Sequence, residues 1–388
     1  MKVIHISPFV RKFTAADFIN LKDDDWSVKT ARAILKQTKK YEIECWAVSS
    51  KIDGINVIKK KRAIIKIFPA KEWVYKKGHS RLLIKELKNE LKKDTIIHLH
   101  GYHNYIAYSI ISSLKNKPII AQDHGENHPL DLIRRNGKFF FLFPLLLIEE
   151  LIERIIFKNI NQFFALTKKE MKYLSKFINK DKIKHQTMGV DFNLFKPFDK
   201  KKARNKFDLP LNKKIILSVG VFEKRKGLDY LIKALPIAIK QIPNLLLVIV
   251  GRSGPSERHL KNLVVGLNLT GYVRFLDFVQ YEKMPYIYSA VDVLALTSLD
   301  EGAPVSIMEA LSCGVPVMAT RVGNVKDMVS DFRNGLVVKP KDINAISDAI
   351  ITFFKNQNRF KDCRKTAVAY DWNFIAKNTI KVYKKLLP

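Results

Sequence analysis

The sequence is short of cysteine, of acidic residues and of long apolar runs. Cys45, Cys313 and Cys363 are its three cysteines, odd in number and widely spaced. That pattern gives neither a disulfide framework nor a cysteine metal site, and it fits a reducing cytoplasm. The apolar stretch "FFFLFPLLLI", 139–148, is ten residues long with Pro144 inside it. A bilayer span needs about 20 apolar residues, so no transmembrane helix is expected there. The start, MKVIHISPFV, has no small-residue cleavage site and reads as a first strand rather than a secretion signal. No internal repeat and no low-complexity tail are visible.

Acidic residues number 37 against 69 Lys and Arg, a formal net charge of +32. Such an excess points to an anionic partner: nucleic acid, an anionic membrane or a phosphorylated substrate. Residues 1–190 hold 37 basic and 19 acidic side chains, and residues 191–388 hold 32 and 18, so neither half is the basic one. A Lys-rich surface without a polyanion groove is the bland alternative. One cluster, "KKKRAIIKIFPAKEWVYKKGHSR" at 59–81, mixes lysines with Phe68, Trp73 and Tyr75, a blend suited to lipid headgroups or single-stranded nucleic acid.

At 388 residues two domains are expected. Apolar, strand-like runs stand at 3–7, 44–49, 95–100, 118–122, 162–167, 214–220, 245–251, 291–298 and 315–320, separated by amphipathic stretches such as "DYLIKALPIAIKQI". Short apolar strands alternating with helices indicate parallel sheets covered on both faces. The charged, Pro-punctuated stretch 192–214 divides two such series. The expected fold is therefore α/β, two doubly wound Rossmann-like domains facing across a cleft, with 1–195 and 196–370 as the two domains. In "LLLIEELIERIIF", Leu145, Ile148, Ile152 and Ile155 fall on one helical face. Core packing is the expectation for that face, and a membrane-dipping surface beside Arg134, Arg135 and Lys138 is the alternative.

Ligands of open parallel sheets sit at the carboxyl ends of the strands, which directs attention to the loops after 214–220, 245–251 and 291–298. After the last of these, "SLDEGAPVSIMEALSCGVPVMAT" places Gly302 in a turn, Pro304 at a helix start and Gly314 just past the helix end, so a helix is expected over about 304 to 312. Its free N–H groups and dipole attract phosphate. Glu301 and Glu309 flank that start, and two carboxylates there suit polyol hydroxyls, which donate hydrogen bonds to them. A ribose on one glutamate and a sugar on the other describe a sugar nucleotide. "VGVFEKRKG" supplies Arg225 and Lys226 for the diphosphate, and Gly251 and Gly254 give a turn where backbone can approach the same ligand.

In order and spacing, V-G-x-F-x-x-R-K-G, V-G-x-x-G-P and E-G-A-P-V-x-x-x-E-A-x-x-C-G-x-P-V-x-A-T resemble the carboxy-terminal half of family-4 retaining glycosyltransferases of the GT-B fold. "IIHLHG", "IIAQDHG", "FFALTKKEMKYL" and "MGVDFNLFKP" are similar to elements of its first half, and 371–388 to a closing helix that completes the first domain. The resemblance implies that Glu309 binds the donor ribose and Glu301 faces the donor sugar. It implies that Gly302, Ala303, Pro304 and Val305 present backbone N–H groups, that Lys226 meets the diphosphate, and that His124 lines the reaction centre. His98 and His100 share a strand face, and packing is the simpler reading for them; His103 and His128 would be needed to build a metal cluster. Three departures stand out: Val221 where an arginine is common, no glycine-rich loop after the first strand, and Gly323-Asn324-Val325-Lys326-Asp327 in place of a G-G-x-x-E turn. Asp23, Asp24 and Asp25 in that first loop read as helix caps, with acceptor orientation the alternative.

The resemblance thus implies a retaining transferase with a UDP-, GDP- or ADP-sugar donor and no metal or other cofactor. Its acceptor would be a glycan or a lipid-linked glycan, with an anionic membrane surface and no nucleic acid as partner. It would work in the cytoplasm or at the inner face of the cytoplasmic membrane. The rival from another class is a basic, non-catalytic binding protein on the same fold. An epimerase or phosphorylase of this fold would need other carboxylates or a pyridoxal lysine.

Overall fold

The structure is a computed structural model that describes residues 1–12, 14, 25–60, 63–74, 77–91, 94–114, 116–125 and 143–387. It divides into two compact units, Met1–Met188 with Trp372–Pro388, and Gly189–Asp371. The divisions fall a few residues from those read in the sequence, and local bonds explain their position. Val190 bridges Asp371, and Arg364 donates to the carbonyls of Phe192 and Phe195, which ties the 189–195 segment to the second unit.

The first unit holds an eight-stranded sheet of β1 (Lys2–Arg11), β2 (Glu42–Ser49), β3 (Asn56–Lys60), β4 (Ala63–Pro69), β7 (Thr95–His100), β8 (Ile119–Gln122), β9 (Gln162–Ala165) and β10 (Ile183–His185). Its order is β10-β9-β8-β7-β1-β2-β4-β3, parallel except for the edge strand β3; β5 (Lys71–Val74) and β6 (Lys77–His79) form a separate ribbon. Side chains alternate between two faces. Ile4, Ile6, Ile97 and Leu99 join one apolar cluster, while Val3, Ile43, Cys45 and Ile96 join another that includes Ala376, Val382 and Tyr383 of the Trp372–Leu386 helix. Asp25 caps the Trp26–Gln37 helix through the Ser27 N–H and also pairs with Arg11, so it acts as the expected cap; Asp23 and Asp24 lie outside the described residues.

Two expectations about this unit change. The 59–81 cluster contains β4, a sheet strand rather than a surface patch: Ile65, Ile67 and Phe68 are buried, and Phe68 packs on Trp46. Lys66, in the same strand, is held inward by Glu86 and Glu90, each at 2.9 Å. Tyr75 lies outside the described residues. The helix Phe143–Ile156 carries its apolar stripe outward, not into the core: Leu147, Ile148, Leu151, Ile152 and Ile155 are all exposed, Ile155 at 68%. Its inward face instead buries Glu149 and Glu153, which accept hydrogen bonds from Tyr108; Glu153 also takes one from His103 at 2.6 Å. Buried carboxylates need such partners, and their presence turns the helix over. Arg134, Arg135, Lys138 and His128 lie outside the described residues. Among those described, no helix is long and apolar enough to cross a membrane.

The second unit is one parallel sheet of six strands, β11 (Lys214–Val219), β12 (Leu245–Val250), β13 (Val273–Leu276), β14 (Val293–Leu296), β15 (Val317–Thr320) and β16 (Gly335–Val338), in the order β13-β12-β11-β14-β15-β16. Most of its strand residues are buried because helices cover both faces, and its core runs from Leu228 and Leu235 through Leu247 and Ile249 to Ile350 and Phe353. Strand order reverses between β11 and β14, the switch point at which such sheets bind ligands.

Candidate active site

The switch point brings together two loops, one leaving β11 and one leaving β14. The first turns at Gly220, passes through a short 3-10 turn, Lys224–Lys226, and enters the Leu228–Gln241 helix at Gly227. Gly227 has φ +59°, and a Cβ there would come within 2.2 Å of the Thr297 carbonyl in the second loop. Only glycine meets both demands. Thr297 Oγ1 in turn donates to the Gly227 carbonyl at 3.1 Å, and the Leu299 N–H to the Arg225 carbonyl at 2.8 Å. The two loops are therefore stitched through the backbone carbonyls of Arg225 and Gly227.

Across this seam Lys226 Nζ lies 2.7 Å from Glu301 Oε1. Ser298 Oγ donates to the same oxygen at 2.8 Å, and Arg225 Nη1 stands 3.5 Å from Oε2. Arg225 also donates to the Asp300 carbonyl and to Glu223, which fixes its guanidinium beside the loop. The side chains of Lys226 and Glu301 are 18% and 10% exposed, so the pair is reachable but largely shielded from screening.

The Val305–Ser312 helix begins one turn beyond Glu301, as expected, with Pro304 as its N-cap rather than its first helical residue. A proline cap has no side chain able to accept from the first N–H groups, and Gly227 leaves the Leu228–Gln241 helix without a side-chain cap as well. Two helix starts without side-chain caps thus flank the Lys226–Glu301 pair, each with N–H groups and a positive dipole end suited to an anion. Gly302 is partly exposed, and Ala303 and Pro304 are buried beneath the turn.

Glu309 sits inside the Val305–Ser312 helix, 8% exposed, and accepts a hydrogen bond from Tyr288 at 2.8 Å. Burial and that carboxylate push the Tyr288 phenol well above its usual range, so it stays a donor. The third loop, after β12, approaches through glycines. A Cβ on Gly251 would fall 1.8 Å from the Gly220 carbonyl, and one on Gly254 would fall 2.5 Å from the Phe222 carbonyl.

Lys226, Arg225 and Glu301 are thus in mutual contact, and Gly251 and Gly254 pack on the 220–222 backbone. Glu309 is anchored separately by Tyr288. His124 belongs to the other unit, where it follows β8, stacks on Trp26 and takes part in a row of histidines. His98 and His100 are buried in that row, and His103 is engaged by Glu153 instead. Two of the three departures noted in the sequence can be placed, while the loop after the first strand lies largely outside the described residues. Val221 is exposed. Gly323 has φ +53° and lies where a Cβ would meet the Glu301 and Gly302 carbonyls at 2.2 and 2.4 Å, while the Asn324 N–H donates to Gly302. The altered turn contacts the Glu301–Gly302 loop through its backbone. Ser298 and Tyr288 were not singled out in the sequence; Ser298 reaches Glu301 three residues on in the same loop, whereas Tyr288 reaches Glu309 only through the fold.

Residues 199–369 match the family model described as glycosyl transferases group 1. The chain is 29% identical over 221 residues to a D-inositol 3-phosphate glycosyltransferase of Corynebacterium urealyticum, covering 54% of this chain and 52% of the relative. It is 31% identical over 176 residues to a GDP-mannose-dependent alpha-(1-6)-phosphatidylinositol monomannoside mannosyltransferase of Mycolicibacterium smegmatis, covering 43% and 46%. The chain spans about half the length of the curated relatives it matches. In structure it is similar to sucrose-phosphate synthase from Thermosynechococcus elongatus, with a TM-score of 0.73, 21% identity and coverage of 100% of this chain and 99% of the other. The fold is accordingly the GT-B one of two Rossmann-like domains. With a family model that spans nearly all of it, the Gly189–Asp371 unit belongs to the glycosyl transferases group 1 family.

Proposed function

We propose that the chain is a retaining glycosyltransferase that moves a sugar from a nucleotide-diphospho-sugar to a hydroxyl of a glycan or lipid-linked glycan. The observation that carries this reading is the Lys226–Glu301 pair at the sheet's switch point, flanked by the starts of the Leu228–Gln241 and Val305–Ser312 helices. Bound diphosphate would draw Lys226 from Glu301, leaving the carboxylate to accept hydrogen bonds from sugar hydroxyls while the ammonium and the helix N–H groups take the phosphate charge. Glu309, oriented by Tyr288, would hold the ribose. His124 is the candidate catalytic residue of the other unit. Stabilisation of the leaving diphosphate by these groups provides what a divalent metal would otherwise supply, so the reaction is proposed to be metal-independent. Retention follows if the acceptor attacks on the leaving group's own face and the departing phosphate takes its proton.

The donor reading is supported by the relative named as GDP-mannose-dependent, and the lipid-linked acceptor by its phosphatidylinositol monomannoside. The exposed apolar stripe of the Phe143–Ile156 helix, on a chain of net charge +32, supports work at an anionic membrane surface on the cytoplasmic side. A non-catalytic basic binding protein would have no use for Lys226 and Glu301 in contact at the switch point. Thermal shift against UDP-, GDP- and ADP-sugars tests the proposal: stabilisation by one of them is expected in the native chain and not in Lys226→Ala, and no response to any of them would overturn it.

A further inference from the structure

A row of four histidines crosses the first unit at its own switch point, between β1 and β7. His5 on β1 is the register partner of His98 on β7; His100 follows two residues along the same face, and His124 stands just past β8. Tyr383 of the Trp372–Leu386 helix closes one end. Its hydroxyl lies 2.7 Å from His98 Nδ1 and 3.2 Å from His5 Nε2. From His5 the row continues ring to ring: His5 Nδ1 to His100 Nε2 at 2.8 Å, and His100 Nδ1 to His124 Nε2 at 2.8 Å. Beyond that, His124 Nδ1 is buried and has no hydrogen-bond partner among the described residues.

All four rings are held neutral. Burial lowers His5 and His124 to about 3 and takes His98 and His100 well below the usual imidazole range. A neutral imidazole has one donor and one acceptor nitrogen, so each link in the row dictates the next. Only two directions are possible, and the single Tyr383 proton chooses between them. If it goes to His98, then His5 must donate from Nε2 to the tyrosine oxygen, His100 from Nε2 to His5, and His124 from Nε2 to His100. If it goes to His5, every link reverses.

The two contact lengths at Tyr383 select the first direction. The 2.7 Å contact suits the O–H donor and the 3.2 Å contact an N–H donor, following the ordinary lengths of the two bond types.

We propose that Tyr383, His5 and His100 are positioning residues that form a hydrogen-bond relay of fixed direction, holding His124 with its proton on Nε2 and its Nδ1 lone pair bare as an acceptor for a ligand hydroxyl. No proton is transferred along the row; the relay sets a tautomer. The hydroxyl-bearing ligand rests on the transferase reading, whereas the tautomer does not. A metal ion is the competing occupant, since His5, His98 and His100 offer nitrogens within 4.8 Å of one another. Coordination would replace the hydrogen bonds the row already makes, around three buried rings with no carboxylate among them.

Long-range proton–nitrogen correlation spectra of the full chain labelled at histidine nitrogens test this at neutral pH, with rings assigned by single His→Gln variants. The relay predicts Nε2–H and an unprotonated Nδ1 on His5, His98, His100 and His124. Tyr383→Phe, three rings from His124, should move the His124 Nδ1 signal from the bare-nitrogen position to the average of two tautomers. His5→Asn, which cuts the row at its next link, should do the same if Tyr383→Phe fails to fold. A proton on His124 Nδ1 in the native chain, or an unmoved signal in a folded variant, overturns the relay. So does one equivalent of zinc that displaces the ring hydrogens of His5, His98 and His100. The readout belongs to the resting protein: a negative transferase assay leaves it standing, and a wrong tautomer sinks the relay whatever the activity.

Discussion

Lys226 and Glu301, 75 positions apart in sequence, meet at 2.7 Å across the seam between the loops that leave β11 and β14. Each neutralises the other, and on the proposed reading a diphosphate would take the place of Glu301 as the counter-ion of Lys226. Lys226→Ala should therefore lower turnover by about a hundredfold or more, the scale of losing a charge stabiliser at the leaving group. Steady-state kinetics with the donor found by thermal shift would check this, and near-normal turnover would place the diphosphate elsewhere.

Glu309 and Tyr288 form the second coupled pair. Glu309→Gln should weaken donor binding by about 1–3 kcal/mol through loss of a charge-assisted hydrogen bond to the ribose. Tyr288→Phe should weaken it less, by about 1 kcal/mol, because it removes one partner of the carboxylate and leaves the carboxylate in place. Titration calorimetry on both variants separates binding from orientation, and unchanged affinity in Glu309→Gln would remove the ribose assignment.

The glycine contacts predict stability rather than chemistry. Gly227→Ala combines a left-handed backbone with a 2.2 Å clash, and Gly251→Ala a 1.8 Å clash, in both cases against a carbonyl that belongs to a neighbouring loop. Each should cost at least about 2 kcal/mol in urea denaturation. Gly266→Ala, near the end of the Glu257–Gly266 helix with nothing within 4 Å, should be neutral or stabilising by up to about 1 kcal/mol. A loss in Gly266→Ala equal to that in Gly227→Ala would mean that the seam is not what the glycines serve.

Stability should fall on acidification well before carboxylates protonate. His5 and His124 have folded pKa values of about 3 against 6.5 for the free side chain, so the unfolded chain binds more protons below pH 6.5. Each such histidine removes about 1.4 kcal/mol per pH unit between those limits, and His98 and His100 act in the same direction. Urea midpoints at pH 7.5 and 5.5 give the comparison; equal midpoints would show that the rings are already charged in the fold.

Leu151→Ser with Ile155→Ser should reduce flotation with anionic lipid vesicles while leaving the melting temperature within a few degrees, because both side chains are exposed in the fold. A native chain that stays wholly in solution would end the membrane reading.

Much of this was legible in the sequence. All nine apolar runs are strands or contain one, because a strand covered on both faces must be apolar along its whole length. β3, β5, β6, β10, β13 and β16 were missed as apolar runs: β13 is interrupted by Arg274, β10 is three residues long, β3, β5 and β6 carry lysines, and β16 is only four residues beginning with Gly335. β4 was taken for a surface patch because its inward Lys66 looks solvated until Glu86 and Glu90, on a neighbouring helix, are placed beside it.

The sequence by itself determined the order of elements, the turn at Gly302, the helix start at Pro304 and the identity of the charged residues around them, since these depend on neighbours in the chain. Tertiary structure alone decided that Lys226 rests on Glu301, that Tyr288 holds Glu309, that the Phe143–Ile156 helix faces its apolar stripe outward, and that four histidines on three strands and their loops share hydrogen bonds. Those outcomes depend on which strands lie side by side and which buried groups need partners, and chain-local periodicity carries neither.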